Sequence, residues 1–197
     1  MSSIREQNAP RVHVYGHVSA QPKAIAEIFS GEHVSQPVAE SDLAIFAINP
    51  SAGIDQESIE LWSALSDFQL PRLVVVNELD GSDSDFDDAV LLANRVFDQL
   101  VTPFLVLHND AGDPTALIDL QTLEILDYST QPMSRRDSDA EHKELVADFR
   151  QEYLEALDDA GEDAFEAGLL FPAIPVVITR GIGIDIVKNF IARAASQ

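Results

Sequence analysis

Residues 43–48, Leu-Ala-Ile-Phe-Ala-Ile, form an uninterrupted apolar run, and an amphipathic helical segment follows at residues 56–68. An apolar run of this length is typical of a strand that is buried on both faces, as in parallel sheets. Similar short runs lie at residues 12–15, 73–76 and 176–179. The helical segments that follow these three runs are predicted at residues 23–29, 86–100 and 184–194. The repeated order of strand and helix predicts a doubly wound α/β fold with a parallel sheet.

The pattern of apolar residues changes between residues 102 and 170. The elements predicted there are strands at 104–107, 115–120 and 123–128, a polar stretch at 129–140 and an acidic helix at about 141–158. Turn signals rich in Asn, Asp and Gly separate the strands. We therefore expect residues 1–101 and 171–197 to build the α/β core, and residues 102–170 to form a small inserted α+β subdomain.

Composition excludes several classes of protein. The 197 residues contain no cysteine, and 12 Lys and Arg against 34 Asp and Glu give a net charge of −22 at pH 7. Without cysteine there are no disulfides and no thiolate chemistry. A surface this acidic repels phosphate backbones, so we expect no autonomous nucleic-acid binding. No apolar run approaches the ~20 residues of a membrane span, and residues 1–10 lack the apolar core of a signal peptide. We therefore expect a cytoplasmic protein with no membrane attachment.

Five stretches share their order and spacing with one known family. They are RVHVYGHVSAQPKAIAEIF at 11–29, DLAIFAINPSAGIDQESIELWSAL at 42–65, PRLVVVNELDGSDSDF at 71–86, LVLHNDAGDPTALIDLQTLEILDYS at 105–129 and GIGIDIVKNFI at 181–191. Together they resemble the G domain of translation elongation factor G, and especially its bacterial elongation-factor-G-like paralogues. The resemblance implies a P-loop-NTPase-like parallel sheet flanked by helices, with the family's inserted subdomain. It also implies a guanine-nucleotide site at the carboxyl ends of the strands.

The stretch after the first strand departs from the phosphate-loop pattern G-x-x-x-x-G-K-[ST]. Counted from Gly16, Gln21 stands at the second glycine, Pro22 at the lysine and Lys23 at the Ser/Thr position. Pro22 lacks both the ammonium that meets the phosphates and the backbone N–H that would join the anion cradle. Lys23 has no acceptor for Mg²⁺, and a shift by one residue would place Ala24 at that position. The alternative interpretation is a plain strand, turn and helix with Pro22 in the first helical turn.

A second departure is a deletion between the first helix and the next strand. Only residues 30–41, SGEHVSQPVAES, lie there, where the family has switch I, two strands, the Asp-x-x-Gly motif and switch II. Without these parts there is no γ-phosphate sensor and nothing to position the attacking water. We therefore expect no intrinsic GTP hydrolysis.

The guanine-reading loop of the family is also altered. Its Asn-Lys-x-Asp motif appears as Asn77-Glu78-Leu79-Asp80. Asp80 keeps an acceptor for the guanine edge and Asn77 keeps an amide that can hold the loop, but Glu78 replaces a cation by an anion. The alternative interpretation is that Asn77 and Asp80 only cap a turn after a strand. Thr179 and its neighbours stand where the family has Ser-Ala.

The resemblance gives a short set of candidate nucleotide-binding residues. They are Gly16, His17, Lys23, Asn77, Asp80 and Thr179. We expect no catalytic residue and no metal site, because the five histidines lack ligand spacing. Asp83, Asp85 and Asp87 alternate, but without the glycine and glutamate of a calcium loop.

These departures favour a degenerate translational-GTPase-like G domain that acts by binding a protein partner, without hydrolysis and without a cofactor. The competing class is a guanine-nucleotide-binding protein or GTPase whose missing catalytic parts come from a partner, and it would use GTP or GDP with Mg²⁺. The family's insertion faces ribosomal stalk proteins, so the resemblance implies a ribosome-associated partner.

The deletion also bears on the edge of the sheet. In the family the lost strands lie beside the first strand, so residues 12–15 would become an edge that can pair with another chain. Residues 32–38 could fold back over this edge. The alternative is a homodimer, or a partner strand, that pairs with the first strand.

Overall fold

A parallel sheet lies at the centre of this computed structural model, which describes residues 9–79 and 85–196. Among the described residues this sheet has six strands, which are β1 (Val12–Tyr15), β2 (Glu32–His33), β3 (Leu43–Ile48), β4 (Arg72–Val76), β5 (Leu100–Val101) and β10 (Phe171–Pro175). Their order is β2-β1-β3-β4-β10-β5, and every pairing is parallel. All residues of β3 and β4 are buried. The apolar runs at residues 43–48 and 73–76 predict this burial, whereas Arg72, the first residue of β4, is charged.

A second sheet is antiparallel and comes from the chain between β5 and β10. Its order is β6-β7-β8-β9, with β6 (Phe104–His108), β7 (Pro114–Asp119), β8 (Glu124–Asp127) and β9 (Ser134–Asp137). The helices are α1 (Pro22–Ile28), α2 (Gln56–Ser66), α3 (Phe86–Ala93), α4 (Ala140–Leu145), α5 (Ala147–Ala160) and α6 (Ile184–Ala194). The predicted fold class is confirmed: a parallel sheet flanked by helices carries a small α+β subdomain.

A buried arginine joins α2 to the middle of the sheet. The guanidinium carbon of Arg72 lies 4.4 Å from the ring centres of Trp62 and of Phe171. Arg72 also donates to the carbonyl of Trp62 at 3.1 Å and lies 3.5 Å from the carboxylate of Asp98. Burial lowers the pKa of Arg72, and Asp98 acts in the opposite direction. Cation–π contacts in such a dry setting stabilise a charge that would otherwise be costly to bury.

The last strand of the large sheet begins earlier than predicted, so the prediction at residues 176–179 is wrong. The strand is β10, Phe171–Pro175, and residues Ile178–Arg180 form a 3₁₀ turn after it. The strand was not predicted because it contains Pro172 and Pro175, and proline is disfavoured inside a sheet. In a parallel strand, successive N–H groups point to opposite neighbours, so each proline removes only one ladder bond.

Three further elements differ from prediction. The helix predicted to reach residue 100 ends at Ala93, and β5 follows it. The polar stretch contains β9, whose four residues are all exposed. The acidic helix is divided into α4 and α5 at Val146, whose side chain is only 2% exposed and packs with the core of the second sheet.

The outer side of β1 is covered by the short strand β2. His13 pairs with Glu32 and Val14 with His33, and the N–H of Val34 donates to the carbonyl of Val14 at 3.1 Å. This is the first of the two alternatives, a segment that folds back over the edge. A homodimer through β1 would have to displace β2, and it stays a prediction. No helix in the described part of the chain is long and apolar enough to cross a bilayer.

Replacing Gly16 by Ala tests the close approach of β1 to β3. Gly16 has φ +140°, and a Cβ there would lie 2.4 Å from the carbonyl oxygen of Ala47. We expect Gly16→Ala to lower the free energy of unfolding by roughly 3 kcal/mol in urea titrations. Gly112→Ala is the matched control, since Gly112 also has positive φ but no atom within 4 Å of its Cβ position, and should cost about 1 kcal/mol. Equal losses would contradict the packing argument.

Candidate functional site

Four loops meet at the carboxyl ends of β1, β3, β4 and β10, where ligands bind in open parallel sheets. They begin at Gly16, Asn49, Asn77 and Val176. The bridge between Val177 and Ile182 closes the last loop on itself. Hydrogen bonds from the side chains of Asn49 and Asn77 join the second and third loops to the first, and these three loops define the candidate site.

The loop after β1 uses its own backbone N–H groups internally. Residues Val18–Ala20 form a 3₁₀ turn before α1 begins at Pro22. Three bonds are made inside the loop: Ser19 N–H to His17 Nδ1 at 3.2 Å, Ala20 N–H to the His17 carbonyl at 2.9 Å and Gln21 N–H to the Val18 carbonyl at 3.0 Å. In a phosphate loop, successive N–H groups point instead at the anion. We call this first loop closed, because these N–H groups bond within the loop, whereas those of a phosphate cradle are available to the anion.

Two side chains bridge the first and third loops. Gln21 and Glu78 both have left-handed backbones, with φ of 54° and 62°. The amide of Gln21 donates to the carboxylate of Glu78. Both stand at positions that the phosphate-loop and guanine-loop patterns reserve for a glycine and a lysine. The contact places a carboxylate beside the first loop, which disfavours a bound anion.

A buried asparagine at the end of β4 holds the first loop by a hydrogen bond. Asn77 is 1% exposed, and its side-chain amide donates to the carbonyl of Ala20 at 3.1 Å. Its backbone N–H donates to the carbonyl of Ile48 at 3.0 Å. A buried amide must be paired, and with its side chain and backbone together Asn77 ties the turn after β1 to the ends of β3 and β4.

Asn49 holds the same loop from the neighbouring strand. Its side-chain amide donates to the carbonyl of Ser19 at 2.9 Å, and its Oδ1 accepts from the N–H of Ser51 at 2.9 Å. Sequence reasoning did not select Asn49. The available signal was its position directly after a buried strand, which it shares with Asn77.

The structure separates the other predicted site residues. His17 and Lys23 are exposed, His17 in the first loop and Lys23 in the first turn of α1. Thr179 lies in the 3₁₀ turn after β10 and lines a cleft of about 520 Å³ that also includes Thr115 and Tyr128 of the second sheet. Asp80 lies outside the described residues. Gly16, His17 and Asn77 thus lie in the three contacting loops, with Asn77 buried and His17 exposed.

The last loop and α6 connect the core to the second sheet. The hydroxyl of Tyr128 donates to Asp185 at 2.7 Å, and Arg180 lies 3.3 Å from Asp113. Burial raises the pKa of Tyr128, and its bond to Asp185 raises it further. These contacts fix the position of the subdomain against the core. In the described part of the chain, no group of three or more His, Asp or Glu could hold a metal ion.

Comparison with known proteins finds relatives among translation factors. No protein family model matches the chain. An elongation factor G-like protein of Mycobacterium tuberculosis is 25% identical over 167 residues, which cover 73% of this chain and 23% of the relative. Elongation factor G of a Ruegeria species is 27% identical over 153 residues, 74% of this chain and 21% of the relative. Ribosome-releasing factor 2, mitochondrial, of Drosophila sechellia is 30% identical over 103 residues, 52% of this chain and 15% of the relative.

A solved structure supports the fold. A crystal structure of a protein from Thermus thermophilus matches with a TM-score of 0.67 and 24% identity, over 79% of this chain and 27% of that chain. The chain spans between 15% and 23% of the length of the three curated relatives. The resemblance predicted from the motifs is confirmed: the chain is similar to elongation factor G-like proteins over about three quarters of its length.

Removing the buried amide tests whether the loops depend on it. We expect Asn77→Ala to lower the free energy of unfolding by about 1–3 kcal/mol, because the carbonyl of Ala20 loses its partner. The amides of Ala20 and Gln21 should exchange hydrogen faster. Asn109→Ala is the control, since Asn109 caps a turn in the second sheet through bonds to the N–H groups of Ala111 and Asp113. It should lower stability without changing exchange in the first loop. Unchanged exchange in Asn77→Ala would contradict this role.

Proposed function

We propose that this chain is a degenerate translational-GTPase-like G domain that binds a protein partner and does not hydrolyse GTP. The closed first loop carries the proposal. Three of its N–H groups are bonded within the loop, and the amide of Gln21 donates to the carboxylate of Glu78 beside it. A nucleotide would have to break these bonds before it could form its own.

The energetic balance opposes a bound nucleotide. Each of the three internal bonds contributes about 1 kcal/mol, and opening the loop would lose them. Pro22 offers no N–H in return. The carboxylate of Glu78 would lie close to the phosphates, where like charges repel. The net charge of −22 adds a long-range repulsion.

The segment that replaces the switch regions is fastened to β1. Val38 N–H donates to the hydroxyl of Tyr15 at 3.1 Å. The hydroxyl of Ser41 donates to the carbonyl of Val38 at 2.8 Å and lies 2.6 Å from Nδ1 of His13. With β2 these bonds make residues 30–41 a fixed strap over the sheet edge. A fixed strap cannot report the state of a nucleotide by ordering and disordering.

We propose that the partner is ribosome-associated and that this chain binds it without a cofactor. The support is the similarity to proteins named for elongation and for ribosome release. The strongly acidic composition favours a basic partner surface. We further propose that residues 1–101 and 171–197 form the core and that residues 102–170 form an insertion, with the joint at Tyr128 and Asp185 holding the two in one orientation.

A second candidate function is a guanine-nucleotide-binding protein or GTPase that a partner completes. Gly16 and Asn77 favour it, because both keep the positions that the family's nucleotide loops need, and Asn77 bonds to the first loop. Under this alternative GTP or GDP with Mg²⁺ would bind to the complex.

Calorimetric titration with GTP or GDP and Mg²⁺ separates the two candidates. We expect no binding tighter than millimolar to the isolated chain or to its complex with purified ribosomes. Micromolar affinity in either sample would overturn the proposed function. The triple variant Gln21→Gly, Pro22→Lys, Lys23→Thr restores the phosphate-loop pattern, and combined with Glu78→Lys it should gain measurable affinity. This gain would show that the same positions limit binding in the natural chain.

Salt dependence tests the proposed partner. We expect the chain to cosediment with ribosomes from lysate and to dissociate as ionic strength rises, because salt screens contacts between an acidic chain and a basic surface. Adding GDP or a non-hydrolysable GTP analogue should not change the bound fraction. Cosedimentation that requires GTP would contradict the proposal and support the second candidate.

A further inference from the structure

The second sheet ends in an open strand. Its order is β6-β7-β8-β9, so β9 pairs with β8 on one side, and in the part of the chain that the structure describes no strand lies on its other side. All residues of β9, Ser134–Asp137, are exposed. In the parallel sheet, by contrast, the short strand β2 covers the outer side of β1. The outer backbone groups of β9 are therefore open to pairing with another strand.

The hydrogen bonds between β9 and β8 decide which backbone groups point outward. The two strands are antiparallel, and just beyond β9 the N–H of Ser138 donates to the carbonyl of Leu123 at 3.1 Å. In an antiparallel pair, every second residue bonds to the same neighbouring strand. Since Ser138 bonds towards β8, Arg136 does the same. The N–H and C=O groups of Arg135 and Asp137 therefore point to the open side.

The side chains of these two residues carry opposite charges on one face of the sheet. Arg135 and Asp137 are two positions apart, so they share a face. Asp137 is directly opposite Glu124 of β8, and like charges in this position repel. The guanidinium of Arg135 lies 3.6 Å from Glu124, but both side chains are exposed, and a guanidinium has further N–H donors for a second carboxylate. A cation on the outer side of Asp137 would relieve its repulsion with Glu124.

We propose that β9 pairs with β9 of a second copy of this chain, antiparallel and about a two-fold axis at Arg136. In this register Arg135 lies opposite Asp137 of the second copy, and the same pair repeats on the other side of the axis. Both pairs use the outward-pointing backbone groups, so each pair exchanges N–H···O bonds in both directions. The contact joins the two four-stranded sheets into one continuous antiparallel sheet.

The order of charges selects a second copy over an unrelated strand. Charged residues on an edge strand usually discourage pairing, because most neighbouring strands do not match them. An antiparallel neighbour of β9 needs a cation opposite Asp137 and an anion opposite Arg135. Read from its own amino end, such a neighbour has the order cation, any residue, anion, which is the order of residues 135–137. β9 is therefore complementary to itself, as a two-fold interface requires.

Two repulsions oppose the dimer and keep it weak. At the axis the two Arg136 side chains face each other, but each has a carboxylate of its own chain nearby. Hydrogen bonds from Ser129, and more weakly the charge of Arg136, lower the pKa of Asp127. The net charge of −22 on each copy adds a long-range repulsion, which salt screens. Because the paired strands are also short, we expect a dissociation constant of about 100 µM, typical of a small and transient interface.

Sedimentation equilibrium of the full chain at about 500 µM tests for the dimer. We expect a monomer at about 20 mM salt and a monomer–dimer equilibrium at about 200 mM, because screening removes the long-range repulsion. Asp137→Pro removes an outward N–H that β8 does not use, and edge strands tolerate proline at such positions. It should abolish the dimer with little change in melting temperature. A monomer at both salt concentrations, or a dimer in Asp137→Pro, would overturn the proposal.

Charge reversal locates the interface. Arg135→Asp and Asp137→Arg each place like charges opposite each other, so each variant alone should be monomeric. An equimolar mixture should form a heterodimer, because two carboxylates of one strand then face two guanidinium groups of the other. Arg95→Asp is the matched control, since it makes the same charge change as Arg135→Asp but after α3, outside the second sheet, and it should dimerise. A dimer in either β9 variant alone, or a mixture that stays monomeric, would contradict the assignment.

Amide hydrogen exchange gives a residue-specific test in the natural chain. The amides of Arg135 and Asp137 should exchange more slowly as the protein concentration rises, because dimerisation bonds them. The amide of Ser138 is already bonded to Leu123 and should not respond. Protection that depends on concentration only at residues 12–15 or 32–34 would place the dimer at the parallel sheet and overturn the proposal, as would no dependence at Arg135 and Asp137. The nucleotide and ribosome experiments are independent of these results.

Discussion

One buried hydrogen bond, from the side-chain amide of Asn77 to the carbonyl of Ala20, organises the carboxyl end of the sheet. An amide that is 1% exposed needs a partner, and this partner lies in the turn between β1 and α1. Because the N–H of Asn77 also bonds to Ile48, one residue joins the ends of three strands. Gln21 and the bonded N–H groups of the first loop lie in this same turn.

A closed turn changes what the fold can do. The P-loop-like sheet normally presents N–H groups and a cation to a phosphate, whereas this chain presents bonded N–H groups and the carboxylate of Glu78. The strap of residues 30–41 acts in the same direction, because it is bonded to Tyr15 and His13 rather than to a ligand. In the proposed function, both features replace a nucleotide-dependent change of state by one constant surface. Such a surface suits a protein whose role is contact with a partner.

Sequence patterns predicted the elements whose residues are uniform in character. β3 is a continuous apolar run, β4 is apolar after Arg72, and α6 has a clear apolar face, so their positions agree with prediction. β2 and β5 have two residues each, too few for any periodicity. β10 is apolar and buried but contains two prolines that weigh against a strand, and β9 is fully exposed and carries no hydrophobic signal. These strands form because neighbouring strands offer unpaired backbone groups, which is a property of the assembled fold.

The candidate site also combines residues that the sequence predicted with a contact that depends on the assembled fold. The motif resemblance selected Gly16 and Asn77, and both lie in the packed loops. It could not predict the contact of Gln21 with Glu78, which requires a left-handed backbone at both residues.

An amide NMR titration of the full chain with GDP and Mg²⁺ tests most directly whether the closed first loop excludes a nucleotide, because it reports on each loop separately. The account predicts that the signals of Ser19, Ala20, Gln21 and Glu78 keep their positions up to millimolar GDP. Saturable shifts confined to these four amides at micromolar GDP would contradict it.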